Sequence, residues 1–215
     1  KNFYLKENQI FAMPIFSLRN LISNYNQTSL SSMFIEVSNK DKSIINSHFQ
    51  IYILNEYLYG QLKSIFLLKY FPDFILKPIL KKFIFALGYL HSDYSSTIEI
   101  EPVYKIDKTI FKFKNIKNKF IKKNIKKITS EFSSKNKLIF FKKIIRLFTF
   151  GSGNHYGCIF PMKDNPKFLE TFRNGKLNGT KNIYIIDSSN FTNLPSSTLT
   201  FTVMANAYRI GKMNT

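Results

Sequence analysis

The chain has 215 residues, 44% of them hydrophobic, enough for one large domain or two small ones with a sizeable core. Its 32 Lys and Arg against 13 Asp and Glu give a formal charge of +19. That surplus fits an anionic partner, or it reflects only the joint enrichment in Lys, Asn, Ile and Phe that an AT-rich genome imposes. The single cysteine, Cys158, excludes an internal disulfide. The apolar runs are too short and too charged to span a bilayer, no signal peptide is visible, and a cytoplasmic location is expected. The first residue is Lys1 and not Met, which raises the expectation of a fragment.

From the N-terminus, Ile15, Leu18, Leu21 and Ile22 recur at helical spacing behind Pro14, predicting a helix over Pro14–Tyr25. Met33–Asn39 and Phe49–Asn55 are rich in β-branched and aromatic residues. They read as strands, paired antiparallel through a polar turn at Lys40–Ser43. Leu58, Leu62, Ile65 and Phe66 predict a helix over Tyr57–Phe71, limited by Pro72. A second helix is predicted after Pro78, through Leu80, Phe83, Ile84 and Leu87 to a stop at Gly88. Alternation of Ile98 and Ile100 with Glu99 and Glu101 predicts a half-buried strand over Ser96–Val103.

Residues Lys105–Arg146 hold 15 Lys or Arg and two acids, Asp107 and Glu131. Ile116, Phe120, Ile121, Ile125, Ile128 and Phe132 mark the apolar stripe of an amphipathic helix with a lysine-rich outer face, and Leu138–Phe148 reads as a second such segment. A solvated helix face explains these lysines. The alternative is a non-enzymatic basic module binding an anionic membrane or polyanion through Lys105–Arg146. The phenylalanines sit on the apolar stripe rather than between the lysines, so base stacking is not indicated and no nucleic-acid partner is expected.

Three histidines are candidates for chemistry. His48 beside a strand and His91 in the turn Leu90–Ser96 suit hydrogen-bonded structural roles, and nothing has metal-ligand spacing. His155 lies among Gly151, Gly153 and Gly157, where small residues admit another group close to the backbone. A neutral imidazole there can take a proton from an alcohol near physiological pH, although plain turns also carry such histidines. Cys158 reads as a small buried thiol. Further on, Asn178–Asp187 reads as a turn and an apolar strand, Ile183–Asp187, ending in a carboxylate. Ser196, Ser197 and Thr198 follow Pro195 and suit the cap of a helix to about Arg209, with Gly211 as its stop.

These blocks resemble the C-terminal signature of the glucose–methanol–choline (GMC) family of FAD-dependent oxidoreductases. His155–Met162 matches the family's H-x-x-x-x-x-x-M block, and Asn178–Gly179 with Ile183–Asp187 its glycine–asparagine and hydrophobic–aspartate block. Asp187, Ser189 and Phe191, followed by Ala205, Ala207 and Arg209, match its D-x-S-x-F … A-x-A-x-R ending. HYGCIFPM and STLTFTVMANAYRI look like a bacterial subgroup of GMC-like proteins, and QIFAMPIF, HFQIY and YLHSDYSS look like that subgroup's substrate-side domain.

The resemblance implies an α+β chain, α/β in the full-length family. Residues 1–150 would be an antiparallel or mixed sheet forming the substrate-binding cap. Residues 151–215 would supply the C-terminal strand and helix of an incomplete Rossmann-type FAD-binding domain. It implies oxidation of the CH–OH group of an alcohol or carbohydrate-like donor, with FAD as cofactor, His155 as proton acceptor and Thr198 at the second catalytic position. That position is usually Asn or His, and a threonine cannot act as a base. Asn154, Asp187, Ser188, Leu199 and Thr200 fall at flavin-side positions, and Cys158 stands where the family usually has glycine. The G-x-G-x-x-G segment that holds the FAD pyrophosphate is absent from the sequence, so a missing N-terminal FAD-binding segment is the implied partner.

Overall fold

Phe83–Leu90 is apolar at every position, and in the computed structural model it forms a central strand. The structure describes residues 2–18, 31–38, 45–64, 66–105, 108–116, 123, 125–126, 129–130, 138–141, 145–149 and 151–214. A continuous apolar run satisfies helical spacing by accident, and a strand covered on both faces reads the same way. The helix expected beyond Pro78 is therefore corrected. A short helix, α3 (Asp73–Leu80), encloses Pro78, and strand β5 (Phe83–Leu90) follows.

The other strands are β1 (Phe3–Glu7), β2 (Ile10–Ser17), β3 (Met33–Ser38), β4 (Ile45–Ile53), β6 (Thr97–Lys105), β7 (Lys108–Ile116), β8 (Leu138–Phe140), β9 (Arg146–Leu147) and β10 (Tyr156–Gly157). They build two sheets, β3-β4-β5-β2-β8 with β9 also on β2, and β10-β1-β6-β7, with every strand pair antiparallel. With helices α1 (Glu56–Lys63), α2 (Phe66–Lys69) and α4 (Thr200–Met213), the chain is α+β. The β3–β4 pairing and the β6 strand follow the sequence reading, while the turn at Lys40–Ser43 lies outside the described residues.

The helix expected at Pro14 is a strand over its described part, and residues 19–25 lie outside the described residues. Phe11, Met13 and Ile15 alternate into the core, a period of two that the spacing counted from Pro14 hides. Pro14 falls between the β2 residues paired to β9 and those paired to β8, where its missing N–H breaks no ladder bond to either. The helix expected over Tyr57–Phe71 is interrupted near Ser64 into α1 and α2, Ile65 lying outside the described residues. Within Lys105–Arg146, residues 123, 125, 126, 129 and 130 are helical, and Ile125 is buried against the larger sheet. Phe120, Ile121, Ile128, Phe132, Asp107 and Glu131 lie outside the described residues. Leu138–Phe148 carries short strands and not a second amphipathic helix, because its apolar residues complete the edge beside β2. Among the described residues, no helix is long and apolar enough to cross a membrane.

The chain passes between the two sheets four times. Two of these passages run from β1 to β2 at Asn8–Gln9 and from β5 to β6 through the turn at Ser92–Tyr94. Both crossings meet in one buried polar belt containing Glu7, Asn8, Gln9, His91, Ser92, Ser95 and Ser96. The Leu90 N–H donates to Gln9 O at 3.1 Å, and the Gln9 N–H donates to Ser95 Oγ at 2.9 Å. That belt positions the candidate site.

Candidate active site

Glu7, Asn8 and Gln9 each hold part of the segment that carries His155. The Glu7 carboxylate accepts the Gly151 N–H, at 3.0 Å to Oε2, and the Gly153 N–H at 3.3 Å. Burial holds its pKa above the ordinary carboxylate value, and the two glycine N–H groups offset only part of that rise. The Gln9 amide donates to Phe148 O at 2.9 Å, and the Asn8 N–H donates to His155 O at 3.3 Å. β10 then continues the smaller sheet, pairing Tyr156 with Glu7 and Gly157 with Lys6.

Asn8 also reaches the segment leading into α4. Its fully buried Nδ2 donates to Leu90 O and to Pro195 O, both at 2.8 Å. One side chain therefore ties the end of β5, the His155 loop and the Pro195–Thr198 approach together. Ser92 reinforces the tie, its N–H donating to Leu194 O at 3.1 Å and its Oγ accepting the Leu194 N–H at 2.8 Å.

His155 is half-buried, and its Nδ1 is buried without a hydrogen-bond partner. Burial lowers its pKa below the ordinary histidine value, so the neutral imidazole predominates at neutral pH. Neighbouring Asn154 is exposed and donates from Nδ2 to the Tyr89 hydroxyl at 3.3 Å. Tyr89 is buried on the outer face of the larger sheet, beside His48 and near Tyr52, whose hydroxyl donates to Gln50 Oε1 at 2.7 Å. His91 is structural, its Nδ1 accepting the Asp93 N–H at 3.2 Å. His48 lies within β4 and stacks on Phe34, and the Glu36 carboxylate 3.5 Å away is poorly aligned for a hydrogen bond. Among the described residues, no cluster of His, Cys, Asp or Glu has metal-binding geometry.

The matched blocks pack into one unit. N–H groups of Cys158, Phe160 and Met162 donate to the carbonyls of Ser188, Ser189 and Asn190 at 2.8–2.9 Å. Ser188 Oγ donates to Tyr156 O at 2.6 Å. A Cβ on Gly157 would meet Ser188 O at 2.3 Å, so only glycine allows this approach. Arg209 donates to Asn206 Oδ1 at 2.9 Å, Asn206 donates to Asn190 Oδ1 at 3.1 Å, and the Arg209 guanidinium also contacts Met162 Sδ. Cys158 is the buried thiol expected, in a cluster with Leu194 and Leu199, and burial pushes its pKa up to about 12. Its φ of +66° is a conformation that glycine adopts more readily than cysteine.

Two expectations here are corrected. Ile183–Asp187 is not a buried strand. It makes an isolated bridge, Lys176 to Tyr184, and Ile183, Tyr184 and Ile186 are exposed, because no neighbouring strand lies alongside them among the described residues. The helix begins at Thr200, behind Leu199, and runs through Gly211 to Met213. Ser196 is buried, and the N-cap residue of α4 is Leu199, whose side chain cannot cap. Thr198 and Thr200 are exposed beside the N-terminus of α4, and Leu199 is buried under it. The exposed Asp187 accepts the Ser189 N–H on Oδ1 at 3.0 Å, which closes this turn.

Sequence reasoning missed Glu7, Asn8, Gln9 and Tyr89. The one signal was a polar triplet, Glu-Asn-Gln, set between apolar stretches, which reads equally well as an ordinary loop. Replacing Glu7 with alanine leaves two loop N–H groups unpaired and is expected to destabilise the chain by about 2 kcal/mol in urea unfolding. Glu7→Gln keeps an amide oxygen for them and should lose less than half as much. No protein-family model matches the chain, and the search of curated proteins finds no match.

Proposed function

We propose that this chain is the C-terminal part of an FAD-dependent oxidoreductase of the glucose–methanol–choline type, acting on the CH–OH group of an alcohol or carbohydrate-like donor. The observation that carries this reading is His155: a neutral, half-buried imidazole with an unpartnered buried Nδ1, on a loop held by Glu7 and Asn8. Burial keeps this imidazole neutral and able to accept a proton, at a cost of about 1–3 kcal/mol for the unpartnered nitrogen. Glycines at 151 and 153, held by the Glu7 carboxylate, fix the loop that presents it. Catalysis rewards that fixed placement.

The residues fit a flavin at one end. The first turn of α4, whose N-cap residue is Leu199, offers the Thr200 N–H and its neighbours, with positive helix-end potential, to an electron-rich group. Thr198, Leu199 and Thr200 border that end, and Asn154, Asp187 and Ser188 lie on the loop side. FAD, when bound, supplies the hydride acceptor. His155 accepts the hydroxyl proton on an imidazole nitrogen as the alcohol carbon is oxidised, and Thr198 hydrogen-bonds the substrate oxygen without acting as a base.

The missing FAD-binding segment is the proposed partner of this half-site. Its support is the outward face of α4, where Phe201, Met204 and Tyr208 are 81%, 60% and 70% exposed on one side of the helix. The Rossmann-type relation belongs to this same proposal. The experiment fuses a dinucleotide-binding segment ahead of Lys1 and screens alcohols and sugars anaerobically for flavin bleaching. Bleaching by at least one CH–OH donor supports the reading, and a flavin-loaded fusion that none of them reduces refutes it.

A further inference from the structure

An ordinary surface helix shows its polar side to water, whereas α3 shows an apolar one. Its inward positions are Leu76 and Leu80, buried against Leu54 and Tyr59. On a helical wheel the opposite arc holds Phe74, Ile75, Pro78 and Ile79, and all four are exposed. Phe74 is 78% exposed, and Tyr70 and Phe71 extend the patch on the approach to the helix. The patch is held in place, since the Lys63 ammonium donates to Phe71 O and to Asp73 Oδ1.

Charge selects the partner. Residues 63–82 hold five lysines, 63, 69, 77, 81 and 82, against one carboxylate, Asp73, which Lys63 binds at 2.7 Å. Lys69, Lys81 and Lys82 are exposed around the apolar arc. An apolar centre with aromatic residues and a cationic rim matches the boundary between acyl chains and anionic headgroups. The patch also lies far from the candidate active site. β5 begins beside α3 at Phe83 and ends at Leu90 in the polar belt, about 25 Å of strand away.

We propose that α3 and its approach, Tyr70–Lys82, dock onto an anionic phospholipid surface, with Phe71, Phe74, Ile75 and Ile79 entering the headgroup boundary. This surface is independent of the flavin reading, and its test needs no cofactor. The chain has no tryptophan, so Phe74→Trp introduces a single reporter.

With vesicles of phosphatidylglycerol and phosphatidylcholine, the expected result is flotation of the full chain and a blue-shifted Trp emission quenched by bromine-labelled acyl chains. Pure phosphatidylcholine should bind far less. Phe74→Ser with Ile79→Ser should lower partitioning by at least about tenfold. Lys69, Lys81 and Lys82 all changed to Gln should lower it by about a hundredfold at low salt. Thermal unfolding of each variant should match the parent, because these side chains face water. The proposal is overturned if the full chain does not float. It is equally overturned if the serine pair leaves flotation unchanged, or if the Trp shift arises without vesicles, from self-association or an acidic protein.

Discussion

Changing His155 to alanine in a completed, flavin-loaded enzyme is expected to slow flavin reduction by alcohol about a thousandfold, the loss typical of a missing general base. The substitution removes a half-buried imidazole whose Nδ1 has no partner, so the fold should lose little. Anaerobic stopped-flow measurement of flavin bleaching separates the two effects, since a merely structural change would lower flavin content instead. The pH profile carries an independent signature. Burial lowers the His155 pKa, so the base stays deprotonated below the ordinary histidine value of about 6.5. Flavin reduction should hold its rate at that pH and fall only below it. The same depression makes the folded state bind this proton less readily than the unfolded chain. The associated stability is therefore present above the ordinary value and is lost as pH falls toward the folded one. An acid limb above the ordinary value, or one unmoved by His155→Ala, assigns the proton to another group.

Asn8→Ala is expected to destabilise the chain by about 3 kcal/mol or more in urea unfolding, the largest loss at any single polar residue. Its amide serves the carbonyls of Leu90 and Pro195 at once, from a fully buried position. Truncation removes the amide donor from Pro195 O, leaves Leu90 O with only the long 3.4 Å contact from Ser95 Oγ, and opens a cavity. Asn8→Asp should be worse than alanine despite its matching shape, because a carboxylate cannot donate and would face two carbonyl oxygens. A milder effect for Asp than for Ala would mean that shape, and not hydrogen-bond donation, holds the crossing.

The strands whose patterns alternate were legible from the sequence, as at Ile98–Glu101 and across β3 and β4. So was the loop containing His155, because three glycines around one histidine leave few structural options. Helical spacing misled at Phe83–Leu87 and over the described part of Pro14–Tyr25, where apolar residues are dense enough to satisfy several periods at once. Ile183–Ile186 misled for another reason. Hydrophobicity reports what a segment would bury, and these side chains stay exposed in the chain taken alone. The belt at Glu7–Gln9 was illegible because its meaning lies in partners 82 to 187 positions away, which no local pattern encodes.

Flavin retention tests the central proposal most directly. The chain is fused behind a dinucleotide-binding segment, mixed with FAD and passed through gel filtration, beside the unfused chain and a fusion carrying Asn8→Ala. The proposal predicts the yellow absorbance of oxidised flavin on the fusion in near one-to-one ratio, little on the chain alone, and weakened retention with Asn8→Ala. A folded fusion that elutes colourless contradicts it.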